Sequence, residues 1–515
     1  HSSSFAINTP TYAEGMIFVG LSDGTIQAFD AVTLRSVWIY RDPLKGQPNS
    51  PIVYHDGYLY TGFWNGEEKD ANYVCLSVTD EDPTRGDEAK LATWTYTSKG
   101  GFYWAGAYVC DTAVVVPTDD GANGYVTGHA RLLSLSPKTG FLRDAVTMAE
   151  PGDLRSAVTY DNGQCYFTSK GGYFYRIGLR DDGTFEPGSL RGLKLYNYAN
   201  DAANPAMSTS TPTVYNGRAY VGVSGVGQFK AYSGHNITVI DLASWRIAYT
   251  VRTQGYPQTS ALLTTAYEAE TGCVYVYFFD NFTPGKLRLL RDQPGQTAPD
   301  VTTPETIVAG GQTVTYDTAP VLFTPSGAQQ QYAICSPITD ESGTIYFKND
   351  SAFLMALTST ITRLEITAAP DKTAYREGES FDPAGMQITA HYANGYTRDV
   401  TKYVTWSAAP LTAADTRFRL EFPYAMYQNA DGKTGVACVK PSVMLSLTIS
   451  AFAAGDVNGD GVVDDVDAAL VYGYVNGKLT LTDEQLLRAD VNGDGLVEQN
   501  DAAQIHAAYL TDTGR

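Results

Sequence analysis

Residues 211–222 read TPTVYNGRAYVG: a hydroxyl residue, a proline, a short β-prone run, a turn at Gly217 and an aromatic β-prone run. The same order recurs as TPTYAEGMIFVG from Thr9, SPIVYHDGYLYTG from Ser50, SAVTYDNGQCYFT from Ser156 and SPITDESGTIYFK from Ser336. Two looser copies, AGAYVCDTAVVVP from Ala105 and SALLTTAYEAETGCVYVY from Ser260, fall between them. The starts are spaced by about 40 to 55 residues, with one longer interval before Ser336, and strand-and-turn repeats of that period imply radial blades. Seven copies can be counted.

Each repeat continues with a strand that ends in Asp or Ser and then turns, as in GTIQAFDAVTLRSVWIY around Asp30, RLLSLSPKTGFLRDA around Lys138 and ITVIDLASWRIAYTV around Asp241. This pattern resembles the repeat of quinoprotein-type β-propellers. The resemblance implies a seven- or eight-bladed propeller over residues 1–358, a closed architecture that protects its strand edges. After AFLMALTST the chain runs straight into a different kind of sequence, so the outer strand of the last blade is expected either to come from the N-terminus or to be absent, and the chain is expected to lack an N-terminal blade or closing strand. Quinone-dependent members of the family pair adjacent cysteines with a calcium site. The six cysteines here (Cys75, Cys110, Cys165, Cys273, Cys335, Cys438) include no adjacent pair. No pyrroloquinoline quinone is therefore expected, and the cysteines read as buried free thiols.

No Gly-x-Ser-x-Gly elbow and no zinc-spaced histidine pair is present. Asp119 with Asp120 and Glu67 with Glu68 lie in Gly-rich polar stretches and read as solvated turns. Aromatic residues are the better ligand candidates. Trp64 sits in an insertion, GFWNGEEKDANY, where strand alternation breaks, and Phe102, Tyr103 and Trp104 precede an inner strand in SKGGFYWAG. Exposed aromatic planes stack on the C–H faces of sugar rings. The competing reading is packing between blades, favoured by the related SKGGYFYRIG of residues 169–178.

From about Ile361 short alternating strands take over, separated by turns such as EGES and ANGY. The strings ITRLEIT, Y-x-x-G-x-x-F-D-P-x-G-M (residues 375–386) and YANGYTRDVT resemble bacterial immunoglobulin-like modules. That implies a β-sandwich over residues 359–452, serving as a spacer.

The C-terminal segment, residues 453–515, carries the hexapeptide DVNGDG twice, at Asp456 and again 34 residues later at Asp490. In the first copy Asp456, Asn458, Asp460 and Asp464 occupy positions 1, 3, 5 and 9 of a calcium loop. Gly461 makes the turn and Val462 supplies a carbonyl at position 7. Asp490, Asn492, Asp494, Leu496 and Glu498 repeat the set. Position 12 is Asp467 in one loop and Asp501 in the other, where an EF-hand has Glu. Each loop leads into a helix, and the first has no incoming helix. Two such loop–helix units resemble a cellulosome-type dockerin, which implies two bound calcium ions and a cohesin module of a scaffolding protein as partner. Family specificity positions 10 and 11 fall on Asp465 and Val466 in the first repeat and on Gln499 and Asn500 in the second, with Tyr472 and His506 at equivalent helix positions. The two pairs differ, which disfavours binding in two equivalent orientations.

The formal net charge is −20, with twelve acidic against three basic side chains after Ala453. Such a balance argues against nucleic acid and anionic membrane surfaces and favours cations. No 18-residue apolar run spans a membrane. A start at His1, without an initiator Met or signal peptide, fits a mature secreted product. The combined expectation is an extracellular, non-catalytic component of a polysaccharide-handling complex, with carbohydrate, polysaccharide included, or another surface ligand bound by the propeller. The alternatives are a glycosidase or lyase delivered by its dockerin, and a protein-interaction or adhesion propeller.

Overall fold

Four of the five strong repeats open on a two-residue hairpin turn with both central residues at positive φ, and the fifth, from Ser336, takes a longer turn between Thr339 and Ile345. The pairs are Glu14-Gly15, Asp56-Gly57, Asn162-Gly163 and Asn216-Gly217, bracketed by the strand partners Ala13↔Met16, His55↔Tyr58, Asp161↔Gln164 and Tyr215↔Arg218. Left-handed backbone at both positions is what a type I′ turn needs, and its twist matches that of the strands it joins. The following hairpin is fixed differently. Asp30 accepts hydrogen bonds from the backbone of Val32 and Thr33, and Asp241 from Ser244, so the strand-terminal Asp folds its own turn.

The computed structural model describes residues 9–199, 205–225, 234–309, 312–393, 395–422, 441–450 and 453–512, and the chain divides into two compact units between Leu357 and Thr358. In the first unit the repeats form seven successive sheets, antiparallel except where Ser36–Arg41 meets Glu88–Lys90 and Arg246–Arg252 meets Gln312–Thr318. The second, third and fourth have four strands each, for example Val53–His55, Tyr58–Gly62, Asp70–Ser77 and Trp94–Lys99. The seventh has three, Ile338–Thr339, Ile345–Lys348 and Leu354–Leu357, with no outer strand among the described residues. Phe353 and Leu354 are accordingly exposed. The long interval before Ser336 holds an added hairpin, Thr303–Ala309 with Gln312–Thr318. Its Glu305 pairs with Arg288, which is fully buried against Asp280 at 2.7 Å.

Neighbouring sheets pack face to face through apolar clusters that each draw on two of them. Phe18 and Trp38 of the first meet Leu59 and Val74 of the second, and Val115 and Leu132 of the third meet Phe167 and Ile177 of the fourth. The series ends with Phe279 and Leu287 of the sixth against Phe347 and Met355 of the seventh. Each fully buried Leu or Phe contributes about 1.5–3 kcal/mol. The repeated hydroxyl starts bond across adjacent sheets: Thr11 donates to the Ile52 carbonyl, Ala157 N–H to Thr211 and Ser260 N–H to Ser336. Residues at five of the seven starts, with Trp104 and Arg155 immediately before the other two, line one cavity, which sets the sheets around a common axis. This is a seven-bladed β-propeller.

In the second unit three short sheets surround one core. They comprise Ile361–Ala368 with Gln387–Tyr392 and Thr397–Asp399, Ala374–Arg376 with Thr448–Ser450, and Arg417–Glu421 with Ser442–Ser446. Leu364, Tyr375, Ile388, Leu420 and Leu445 fill that core. Much of GVACVKPSV, Cys438 included, lies outside the described residues. Three helices follow, Asp465–Val475, Asp483–Ala489 and Gln499–Asp512, packed on Val457, Val471, Ala489, Ala502 and Ile505. No helix among the described residues is long and apolar enough to cross a membrane.

Candidate functional site

The two acidic loops are built alike. Asp456 accepts hydrogen bonds from the backbone of Gly459, Asp460 and Gly461 at 2.8 to 3.1 Å, and Asp490 from Gly493, Asp494 and Gly495 at 2.8 to 3.2 Å. The first carboxylate therefore curls each loop. The twelfth closes it: Asp467 accepts from Asn458 and Asp464, and Asp501 from Val491, Asn492 and Glu498. Both closing residues are fully buried. Asp464 and Asp467 also form a capping box that starts the first helix, coupling loop shape to helix formation. All donors in either loop are hard oxygens from Asp, Asn or Glu side chains and from the carbonyls of Val462 and Leu496. That set fits calcium and not a thiolate-seeking metal.

Arg488 was not singled out by sequence. It is buried at the end of the middle helix, donates to the Asp456 carbonyl at 3.2 Å and pairs with Glu484 at 2.5 Å, tying the first loop to that helix. A lone Arg gives no periodic signal. Asp465, Val466, Tyr472, Gln499, Asn500 and His506 are all exposed. Asp465 Oδ1 lies 2.5 Å from His506 Nδ1, so a residue of each repeat shares one surface. The positions equivalent to this pair are Gln499 and Tyr472, an amide and a phenol with no ion pair to make.

In the propeller, Trp64, Tyr103 and Trp104 come together. Tyr103 packs edge-on against Trp64 at 4.9 Å and tilted against Trp104 at 4.7 Å. All three are partly exposed. Phe102 is different: it is fully buried, T-shaped on Tyr73 at 5.1 Å, so its ring is core and offers no platform. The turn that carries this run depends on Gly101 at φ +70, where a Cβ would lie 2.8 Å from Ala71 and from the Phe63 carbonyl.

Arg155 stands at the centre of the group, 4.5 Å from the Tyr103 ring and 5.2 Å from Tyr125. Its guanidinium bonds both oxygens of Asp119 and both of Glu67, and Nη2 lies 2.9 Å from Asp153 Oδ2. Asp119 and Asp153 are fully buried. The solvated-turn reading is thus wrong for Asp119 and for Glu67, because loops of three different blades fold them onto one cation. Burial pushes the Asp119 carboxyl well above the usual range despite Arg155, and pushes Asp153 up to about 7. Burial, with Arg155 nearby, brings Lys170 down to about 8 while its ammonium rests 3.7 Å from the Tyr125 ring. Ligand oxygens of Glu67, Asp119 and Asp153 lie within 4.8 Å of one another. The guanidinium already fills the place a metal would take.

Residues 454–510 match the family model described as dockerin type I domain, and residues 1–68 match the model described as outer membrane protein assembly factor BamB. No curated protein matches the chain. Among solved structures, BamB from Moraxella catarrhalis is similar at 12% identity, over 76% of this chain and 95% of that one, with a TM-score of 0.42. The computationally designed Ika8 protein is similar at 12%, over 69% and 96%, with a TM-score of 0.42. A europium-containing methanol dehydrogenase is similar at 11%, over 66% and 72%, with a TM-score of 0.43. Dockerins in general bind calcium and dock onto cohesins. The chain carries a dockerin type I domain at residues 454–510, after a seven-bladed β-propeller whose residues 1–68 match the BamB model.

Proposed function

We propose that this protein is a secreted, non-catalytic component of a cellulosome-like complex, in which residues 453–515 dock onto a scaffold cohesin while the propeller of residues 1–358 binds carbohydrate. Residues 359–452 are assigned as an immunoglobulin-like spacer. The observation that carries the reading is the pair of matched loops, each curled by its first Asp and closed by a buried twelfth Asp. Asp456, Asn458, Asp460, Val462, Asp464 and Asp467 are the ligands of one calcium, and Asp490, Asn492, Asp494, Leu496, Glu498 and Asp501 those of the other.

The clustering of the partly exposed rings of Trp64, Tyr103 and Trp104 supports the carbohydrate role. The carboxylates beside them do not support hydrolysis. A glycosidase separates its two carboxylates by about 5–5.5 Å or 6.5–9.5 Å around a reacting bond. Here a guanidinium occupies that gap.

A glycan array on the full chain tests the propeller. Trp64→Ala should weaken any hit by about 1–3 kcal/mol, as loss of a stacked aromatic does, with little change in melting temperature. A sharp fall in melting temperature would show the ring to be blade packing, and cleavage of a bound glycan would favour the enzyme reading.

The cohesin face is tested by calorimetry. The second repeat should dominate, because the Gln499 and Asn500 amides can each donate and accept at an interface whereas the Asp465 carboxylate is already engaged by His506. Gln499→Ala with Asn500→Ala should weaken binding more than tenfold, and Asp465→Ala with Val466→Ala should change it little. Equal small effects would mean that the two faces substitute for each other.

A further inference from the structure

The second compact unit holds both the short sheets and the three helices, and the side chain of Arg376 joins them. In strand Ala374–Arg376 alternate residues face opposite sides. Tyr375 is buried in the sheet core, where its hydroxyl donates to the Lys372 carbonyl, and Arg376 is exposed on the other side. The same strand runs parallel to Thr448–Ser450, with Arg376 opposite Ser450 and the Glu377 N–H bonded to the Ser450 carbonyl at 3.0 Å. Asp456, which opens the first loop, lies only six residues beyond Ser450. Arg376 Nη1 donates to Glu484 Oε1 at 2.7 Å. Glu484 belongs to the first turn of the middle helix and also accepts from Arg488, whose other terminal nitrogen donates to the Asp456 carbonyl at 3.2 Å. The Glu484 carboxyl is held below its usual range, chiefly by the hydrogen bond from Arg376. A line of contacts thus runs from the sheets through Arg376, Glu484 and Arg488 to the first loop.

We propose that the module of residues 359–452 and the dockerin form one calcium-coupled unit, in which Arg376 positions the middle helix. The inference rests on the calcium reading of the two loops and goes beyond it by giving the spacer a part in loading them. A helix of seven residues is too short to persist in water alone. Asp483–Ala489 therefore stands only while its Ala489 packs with Val457, Val471 and Ile505. Calcium, which holds the loops on either side of it in sequence, decides whether Glu484 is presented to Arg376. Linkage makes the effect mutual: whatever calcium adds to the Arg376–Glu484 contact, the contact adds to calcium binding. Both side chains are about half exposed, and an exposed pair of this kind changes an equilibrium by up to about fivefold. Calcium loading of the dockerin is thereby felt in the module that connects it to the propeller.

Hydrogen exchange of the full chain, read by mass spectrometry across a calcium titration, tests this coupling. In wild type, calcium should slow exchange in segments 373–377 and 446–450 by about two- to fivefold, together with loops 456–467 and 490–501, and leave the propeller unchanged. Arg376→Gln should keep the loop response, lose most of the response in 373–377 and 446–450, and raise the calcium concentration that half-protects 456–467 by about two- to fivefold. Arg376→Lys, which keeps the charge, should recover part of both. A loop response in wild type with none in 373–377 and 446–450 would overturn the coupling and leave the calcium reading standing. An undiminished response of those two segments in Arg376→Gln would overturn the part given to Arg376. No calcium response in the loops themselves would remove the calcium reading and this inference with it.

Discussion

Chelating calcium should abolish the helical signal of Asp465–Val475, Asp483–Ala489 and Gln499–Asp512 while the propeller keeps its β signal and melting behaviour. Twelve acidic and three basic side chains share residues 454–515, and like charges packed that densely into a small module repel one another until cations bind. Each ion bound to the folded module at 100 times its dissociation constant stabilises it by about 2.7 kcal/mol. Small domains of this size have little apolar core to replace that. Cohesin binding should disappear with the helices and return when calcium is restored. Circular dichroism before and after chelation is the measurement, and an unchanged helical signal would refute calcium-dependent folding.

Replacing Arg155 with Met should destabilise the propeller by about 3–5 kcal/mol, the usual consequence of removing one partner from a buried ion cluster. Asp119 and Asp153 would be left in a dry site with no counter-ion except Lys170. Their sign with pH follows from the upward shift. A carboxyl that titrates near 7 in the folded chain holds its proton between about pH 4 and 7, where the unfolded chain has released it. Its contribution is therefore fully present below pH 4 and is lost as pH rises through 7. The Arg155→Met defect should be larger at pH 8 than at pH 5.5, and Asp119→Asn in the same background should restore part of the loss. Thermal melts of the variants at the two pH values measure both effects. Equal melting temperatures for wild type and Arg155→Met would show that the cluster contributes nothing.

How much of this could be read beforehand differs between the two ends of the chain. The calcium-type loops are local: every donor in one falls within twelve residues, so spacing alone identifies Asp456 to Asp467 and Asp490 to Asp501. Blade repeats are equally local, because Asp-Gly and Asn-Gly fix hairpins by their own backbone preference. The Arg155 cluster is not local. Its partners Asp119 and Glu67 are 36 and 88 residues away in sequence, and each sits in a stretch whose composition suits a solvated loop. Only closure of the ring, which carries three loops to one place, reveals them. Phe102 was misplaced for a related reason: adjacent aromatics in one turn point to different sides, and the string FYW does not say which ring faces the core.

The three-stranded seventh sheet has a mechanical consequence. Its last strand, Leu354–Leu357, is also the point at which the chain leaves the propeller. Pulling on a docked C-terminus would load this strand first. An edge strand drawn outward from its end gives up its hydrogen bonds one after another, whereas a strand held between two neighbours must break both ladders. Among the described residues Leu354–Leu357 has one neighbour, so a pull from its C-terminal end would unzip it ahead of the strands paired on both sides, and relaxation would let a single short strand re-pair.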